Sequence, residues 1–242
     1  MAGAGGGTAG RVLGVDGCRG GWVAVALPGS TGGGTGPGPV AYMAATIAAV
    51  VAAASADGPL RAVAIDIPIG LPDTDVREAD RLVRAELGPR RSSVFVTPVR
   101  AALACPSHAE AVRVNRSRAG TGISVQAYQL RDRILDVDGW VGTAGVPVVE
   151  GHPELSFAAL GGAPAAYPKK TWAGTRARLA LLAAAGVVLP DDLGPAGAAA
   201  VDDVLDAAVL AWTAGRVAAG CAVGRPDPPQ RFSDGWPAAI WT

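Results

Sequence analysis

Two apolar runs, each carrying an aspartate at its far end, do most to limit what this chain can become. In LGVDGCRGGWVAV, residues 13 to 25, an apolar run arrives at Asp16, crosses a glycine-rich turn and becomes apolar again. In RAVAIDI, residues 61 to 67, a second run delivers Asp66. Short apolar runs bounded by Gly and Pro read as buried strands. A charge at the end of a buried strand is costly unless it is paired or holds a metal. The sheet must therefore bring partners to both carboxylates.

The remaining pattern supplies that sheet and its cover. Arg11–Asp16 and Gly21–Leu27 read as a hairpin, Pro28–Pro39 as a surface loop, and Val40–Ala44 as a third strand leading into a helix over Thr46–Ala56. Helices are predicted over Val76–Leu87, Ser107–Arg118, Val125–Val141, Lys170–Ala185 and Ala198–Ala219, with Gly88–Pro98 irregular. Val146–Val149 reads as a strand running into Glu150. Strands alternating with helices give an α/β class, a mixed central sheet covered on both sides. The expected organisation is a disordered tail over 1–10, then one domain over 11–242 with a helical insertion at about 73–145.

Composition narrows the setting. Half of the 242 residues are hydrophobic, but much of that is alanine and only 5% are aromatic. The Ala-rich stretch 42–56 is too short to span a bilayer, and 207–224 carries Arg216 near its centre. The first ten residues lack the basic and apolar blocks of a signal peptide. Cys18, Cys105 and Cys221 are an odd, scattered set without CxxC, which favours reduced thiols over a zinc site. The expectation is a cytoplasmic protein with no membrane partner. Net charge is zero, yet residues 77–133 hold 11 arginines against 5 acids, so this stretch is +6 and the rest −6. That imbalance reads either as solvated helices with charge pairs or as a basic arm attracting a polyanion.

The acidic residues form a constellation. Asp16, Asp66 and Glu150 each stand at a strand end, and VDDVLDAAVLAW, residues 201 to 212, adds Asp203 and Asp206 three apart on one helical face. Asp206 lies inside an apolar stretch, too far in to serve merely as a first-turn acid. Oxygen ligands of this kind suit Mg²⁺ or Mn²⁺, and paired ions can clamp both oxygens of a phosphodiester. His152 and Glu154, in GHPELSF, lie just beyond a strand end, where His152 is either a general base or a helix cap. Lys169 and Lys170, the only lysines, are candidates for a scissile phosphate. Arg19, Arg90, Ser92 and Ser93 are candidates for phosphate oxygens.

GVDGCRGGWVAV, IDIPIGLP, RRSSVFVTPVRAAL, GISVQAYQL, EGHPELSFAALGG, KKTWAGTRARL and DDVLDAAVLAWTAGR occur in the order of the domain-of-unknown-function 429 family, which the chain resembles over nearly its whole length beyond residue 10. The resemblance implies an RNase H-like sheet with an acid on the first and fourth strands and a further Asp on the final helix, in predicted nucleases. Carried over, these are Asp16, Asp66 and Asp206, with Glu150 and Asp203 as further candidates. The DVLDA pattern looks like the corresponding helix of Holliday junction resolvases. Gln126 also belongs to the family pattern. The leading expectation is a metal-dependent nuclease. The alternative is a hydrolase or biosynthetic enzyme using the same site on a small anionic substrate. An actin-like ATPase or phosphotransferase is disfavoured, because neither IDIPIGLP nor VEGHPELSF supplies a second glycine-rich phosphate loop. A non-catalytic binding protein would not need so many strand-end carboxylates.

Overall fold

The computed structural model describes residues 10–29 and 38–242, so nine of the ten tail residues and most of the loop expected over 28–39 lie outside the described residues. The strands are β1 (Arg11–Cys18), β2 (Gly21–Leu27), β3 (Val40–Ala44), β4 (Leu60–Ile65), β5 (Val148–Gly151), β6 (Gly224–Arg231) and β7 (Pro237–Trp241). They form one mixed sheet in the order β3-β2-β1-β4-β5-β7-β6. The first three are an antiparallel meander. β4, β5 and β7 then continue parallel to β1, and β6 closes the edge antiparallel to β7.

Alternation along the strands sorts side chains to two covered faces. Leu13, Val15, Val63 and Ile65 point to one side. There they pack with Ile47 and Val50 of α1 (Ile47–Ala56) and Ile134 and Val137 of α6 (Arg131–Trp140). Asp136 fastens α6 to this face by accepting from the Trp22 indole N–H and the Ile47 N–H, both at 2.9 Å. Val23 and Val25 point the other way, onto Leu205, Ala208 and Val209 of α9 (Val201–Ala218). Ala62 and Ala64 meet Leu210 and Ala214 of the same helix.

Gly14 lets that helix come close. A Cβ there would lie 2.0 Å from the Ala211 nitrogen and 2.1 Å from the Ala207 oxygen. With only hydrogen at Gly14 and alanine at 207 and 211, the α9 backbone rests directly on β1. This contact brings Asp206 to the level of Asp16.

The expected insertion, 73–145, comprises α2 (Glu78–Leu87), a 3₁₀ turn at Gly88–Ser93, α3 (Arg100–Leu103), α4 (His108–Ala119), α5 (Val125–Gln129) and α6. It is stitched to the sheet rather than standing apart from it. Ala79, Val83 and Leu87 of α2 pack with Ile240 of β7 and Leu155 of α7 (Pro153–Gly161). The helix expected over 125–141 is broken at Leu130 into α5 and α6. α8 (Trp172–Ala184) starts two residues later than expected, with the Thr171 hydroxyl accepting from Gly174 N–H as its cap. β6 and β7 lie beyond Ala219, where no element is expected from the sequence. Prolines are tolerated on an edge strand, and β6 is one. Among the described residues no helix is long and apolar enough to cross a membrane.

Candidate functional site

The β1–β4 register places Val15 opposite Ile65, and the Asp66 N–H donates to the Val15 carbonyl at 3.0 Å. Asp16 and Asp66 therefore sit side by side where the two parallel strands part. β1 itself continues to Cys18 through its antiparallel pairing with β2, so Asp16 ends one ladder and not the other. Asp16 shares the Gly14 face by alternation, the face that α9 covers. Among the described residues its only protein donor is the neighbouring Gly17 N–H, at 2.7 Å.

Two adjoining cavities open at these acids. The first, of roughly 320 Å³, takes in Asp16, Asp66, Asp203, Arg133 and Gln126. The second, of roughly 370 Å³, takes in Asp66, Asp206, Glu154, Arg90, Ser92 and Lys170. Asp66, Ser93, His152 and Lys169 line both, so the two make one cleft. The Lys169 ammonium donates to Asp206 Oδ2 at 2.5 Å and lies 3.6 Å from Asp202 Oδ2. Among the described residues no donor reaches the buried Asp206 Oδ1 or Glu154 Oε2, and the other Glu154 oxygen is held by Arg178 at 2.5 Å.

The carboxylates resist ionisation. Burial, then Asp66 and Asp206, raise Asp16 well above the ordinary carboxylate range. Burial pushes Asp66 up to about 6 and Asp206 up to about 7, although Lys169 pulls both down. Burial opposes the charge on Lys169, but Asp206, Asp16 and Asp66 outweigh it and hold the ammonium firmly protonated. Asp203, half-buried at the rim, is raised by burial and by Asp202.

Other expected residues stand differently. Glu150 lines the first cavity with Asp16 and Asp66, but its carboxylate is paired with Arg77. Its oxygens accept from Arg77 Nη1 and Nη2, each at 2.8 Å, and one also accepts from the Ile69 N–H at 2.9 Å. Arg77 completes its set on Asp80 Oδ1 at 2.6 Å, and Asp80 Oδ2 takes the Thr97 N–H at 2.7 Å. His152 lines the cleft, but both ring nitrogens are engaged. Nδ1 accepts from Leu155 N–H as the cap of α7, and Nε2 faces the Ser93 carbonyl, each at 3.3 Å. Burial lowers its pKa, and in this structure the ring caps α7 and ties it to the 88–93 turn. Arg19 lies exposed in the β1–β2 turn, outside both cavities. Arg133 takes the place expected of it, reaching the Cys18 carbonyl at 2.5 Å and packing over Gly17.

Among the described residues no group of three or more His, Cys, Asp or Glu side chains is placed so that it could hold a metal ion. The side chains gathered here are carboxylates, the oxygen chemistry that hard divalent cations take, and among the described residues the buried Asp206 Oδ1 has no hydrogen-bond partner. Lys169 supplies the positive charge among these acids.

The fold and cleft define a mixed α/β protein with an acidic, lysine-bridged site at the ends of its central parallel strands. The chain belongs to the family described as protein of unknown function DUF429, whose model matches residues 14–231. Comparisons with curated proteins and with solved structures gave no match.

Proposed function

We propose that the protein is a divalent-metal-dependent phosphodiesterase acting on nucleic acid. The observation that carries this reading is the convergence of Asp16, Asp66 and Asp206 from β1, the end of β4 and α9 on one cleft, with Asp206 Oδ1 buried and unpaired. The same three positions are those the RNase H-like resemblance implies. Asp16, Asp66 and Asp206 would hold Mg²⁺ or Mn²⁺, which when bound polarises a phosphoryl oxygen and acidifies water. Lys169 offsets negative charge developing on the phosphate. Arg90 and Lys170, at the mouth, hold its remaining oxygens. Asp203, facing the first cavity with its pKa raised, returns a proton to the leaving oxygen.

The test pairs metal dependence with turnover. Wild type should hydrolyse bis(p-nitrophenyl) phosphate with Mn²⁺ and not in chelator. Asp16→Asn and Asp206→Asn should lose this activity while remaining folded. Metal-independent hydrolysis, or full activity in either variant, would contradict the reading.

A second reading, a hydrolase for a small anionic substrate, is favoured by one observation. Much of the positive charge of 77–133 is spent inside the protein. Arg77 is buried on Glu150, Arg84 reaches the Arg91 and Val94 carbonyls, Arg100 pairs with Asp138 and Asp234, and Arg131 and Arg133 hold the Cys105 and Cys18 carbonyls. The segment is therefore not one free basic face. Nucleic-acid affinity that falls steeply with salt supports the first reading, and its absence supports the second.

A further inference from the structure

Three cations line the first cavity, and among the described residues one of them meets no carboxylate. Arg77 is bound to Asp80 and Glu150, and Lys169 to Asp206. Arg133, half-buried on α6, donates from Nη2 to the Cys18 carbonyl at 2.5 Å and makes no ion pair among the described residues. A carbonyl takes one N–H of a guanidinium and leaves its positive charge and its remaining donors uncommitted.

Two features fix where this guanidinium stands. Asp136, three residues further along α6, accepts from the Trp22 indole N–H and the Ile47 N–H, both at 2.9 Å, and so holds the helix against the sheet. A Cβ at Gly17 would lie 2.9 Å from both Cδ and Nε of Arg133, so the glycine next to Asp16 makes room for the side chain to lie across the end of β1. The charge reaches the rim of the cleft. Burial raises the Asp203 carboxyl and the Cys18 thiol, and Arg133 is among the charges that draw both back down.

The second cavity has its own cations, Arg90 and Lys170, and Arg133 does not line it. Asp66 and Lys169 line both cavities. Cations outside ion pairs therefore stand in each cavity, with Asp66 and Lys169 at the boundary. A planar guanidinium matches phosphate oxygens two at a time. One phosphate set against Asp66 and Lys169 could draw on one of these cationic groups and would leave the other without an anion. A substrate with phosphates in succession would engage both.

Resting on the phosphodiesterase reading, we infer that Arg133 holds a second phosphate of the substrate, the neighbour of the one that is cleaved. The site thereby favours a diester within a chain of phosphates over an isolated diester.

The experiment gives wild type and Mn²⁺ two pairs of chromogenic diesters. One pair is thymidine 5′-(p-nitrophenyl phosphate) with and without a 3′-phosphate, and the other is thymidine 3′-(p-nitrophenyl phosphate) with and without a 5′-phosphate. Together they cover both chain directions. In one pair the added phosphate should raise kcat/KM at least about tenfold, a difference of about 1.4 kcal/mol, and mainly through KM. Arg133→Met keeps the stem over Gly17 and should bring that ratio close to one. Arg133→Lys, which retains a cation without the planar fork, should restore part of it. A residue that merely straps α6 to β1 would slow both members of a pair alike, so a ratio unchanged in Arg133→Met overturns the inference. A ratio of one or less in both wild-type pairs does the same. Hydrolysis of bis(p-nitrophenyl) phosphate with none of the four thymidine diesters cut also overturns it, with the phosphodiesterase reading intact. Failure on all five diesters overturns the parent reading and this inference with it.

Discussion

Two buried ionic clusters stand at the ends of neighbouring strands, and they are built on opposite principles. Around Arg77, two carboxylates share one guanidinium, and the backbone N–H groups of Ile69 and Thr97 donate to the same acids. Around Asp16, the one ammonium pairs with Asp206 and stands 3.6 Å from Asp202, and among the described residues a buried oxygen of Asp206 has no donor. The first cluster fastens the start of α2 and the turn after β4 to β5. The second stores repulsion beside a cleft. A fully paired buried network holds a fold in place, whereas an under-paired one is the arrangement expected where an additional cation or a substrate must enter.

The largest expected effect breaks the first cluster. Arg77→Ala leaves Glu150 and Asp80 buried without a counter-charge, and should cost about 3–5 kcal/mol in denaturant unfolding. A loss under about 1 kcal/mol would mean that the cluster is open to water. Next, Gly14→Ala forces a methyl group into the α9 backbone. It should destabilise by about 1–3 kcal/mol and lower activity by shifting Asp206 away from Asp16, which turnover and melting measured together would show.

The pH dependence should expose the second cluster. In chelator, Asp66 and Asp206 release protons near 6 and 7 in the folded protein, against about 3.9 when unfolded. Between these values the folded state binds more protons, so stability should fall as pH rises from about 4 to 7. Asp206→Asn should shrink this decline, and an unchanged slope would show that Asp206 is not held protonated. The smallest effect is the most diagnostic in sign. Asp16→Asn in chelator should melt at or slightly above wild type, because it removes one member of a repelling set.

Much of this contrast was legible in the sequence, and its limits have physical causes. Asp16, Asp66 and Asp206 were found because a carboxylate inside an apolar run demands a partner. Glu150 carried the same signal. What separates it is Arg77, 73 positions away in sequence, and only folding shows which acid receives the guanidinium. Lys169 and Lys170 were equally plausible as neighbours, until the Thr171 cap turned the chain and left Lys169 inward and Lys170 exposed. His152 offered both a base and a cap, and the structure shows the cap at the Pro153 helix start. β6 was hidden because prolines forbid a central strand and no local pattern announces that a strand will be an edge, and β7 because its run of five residues is too short to declare itself.

Mn²⁺ titration of melting temperature in wild type and Asp16→Asn tests the central claim most directly. Occupancy of the acid cluster should stabilise wild type by about 2.7 kcal/mol at a hundredfold excess over the dissociation constant, and Asp16→Asn should gain clearly less. If Mn²⁺ leaves wild type unchanged while Asp16→Asn is simply less stable in chelator, Asp16 is a structural turn residue and the account of a strained cation site is contradicted.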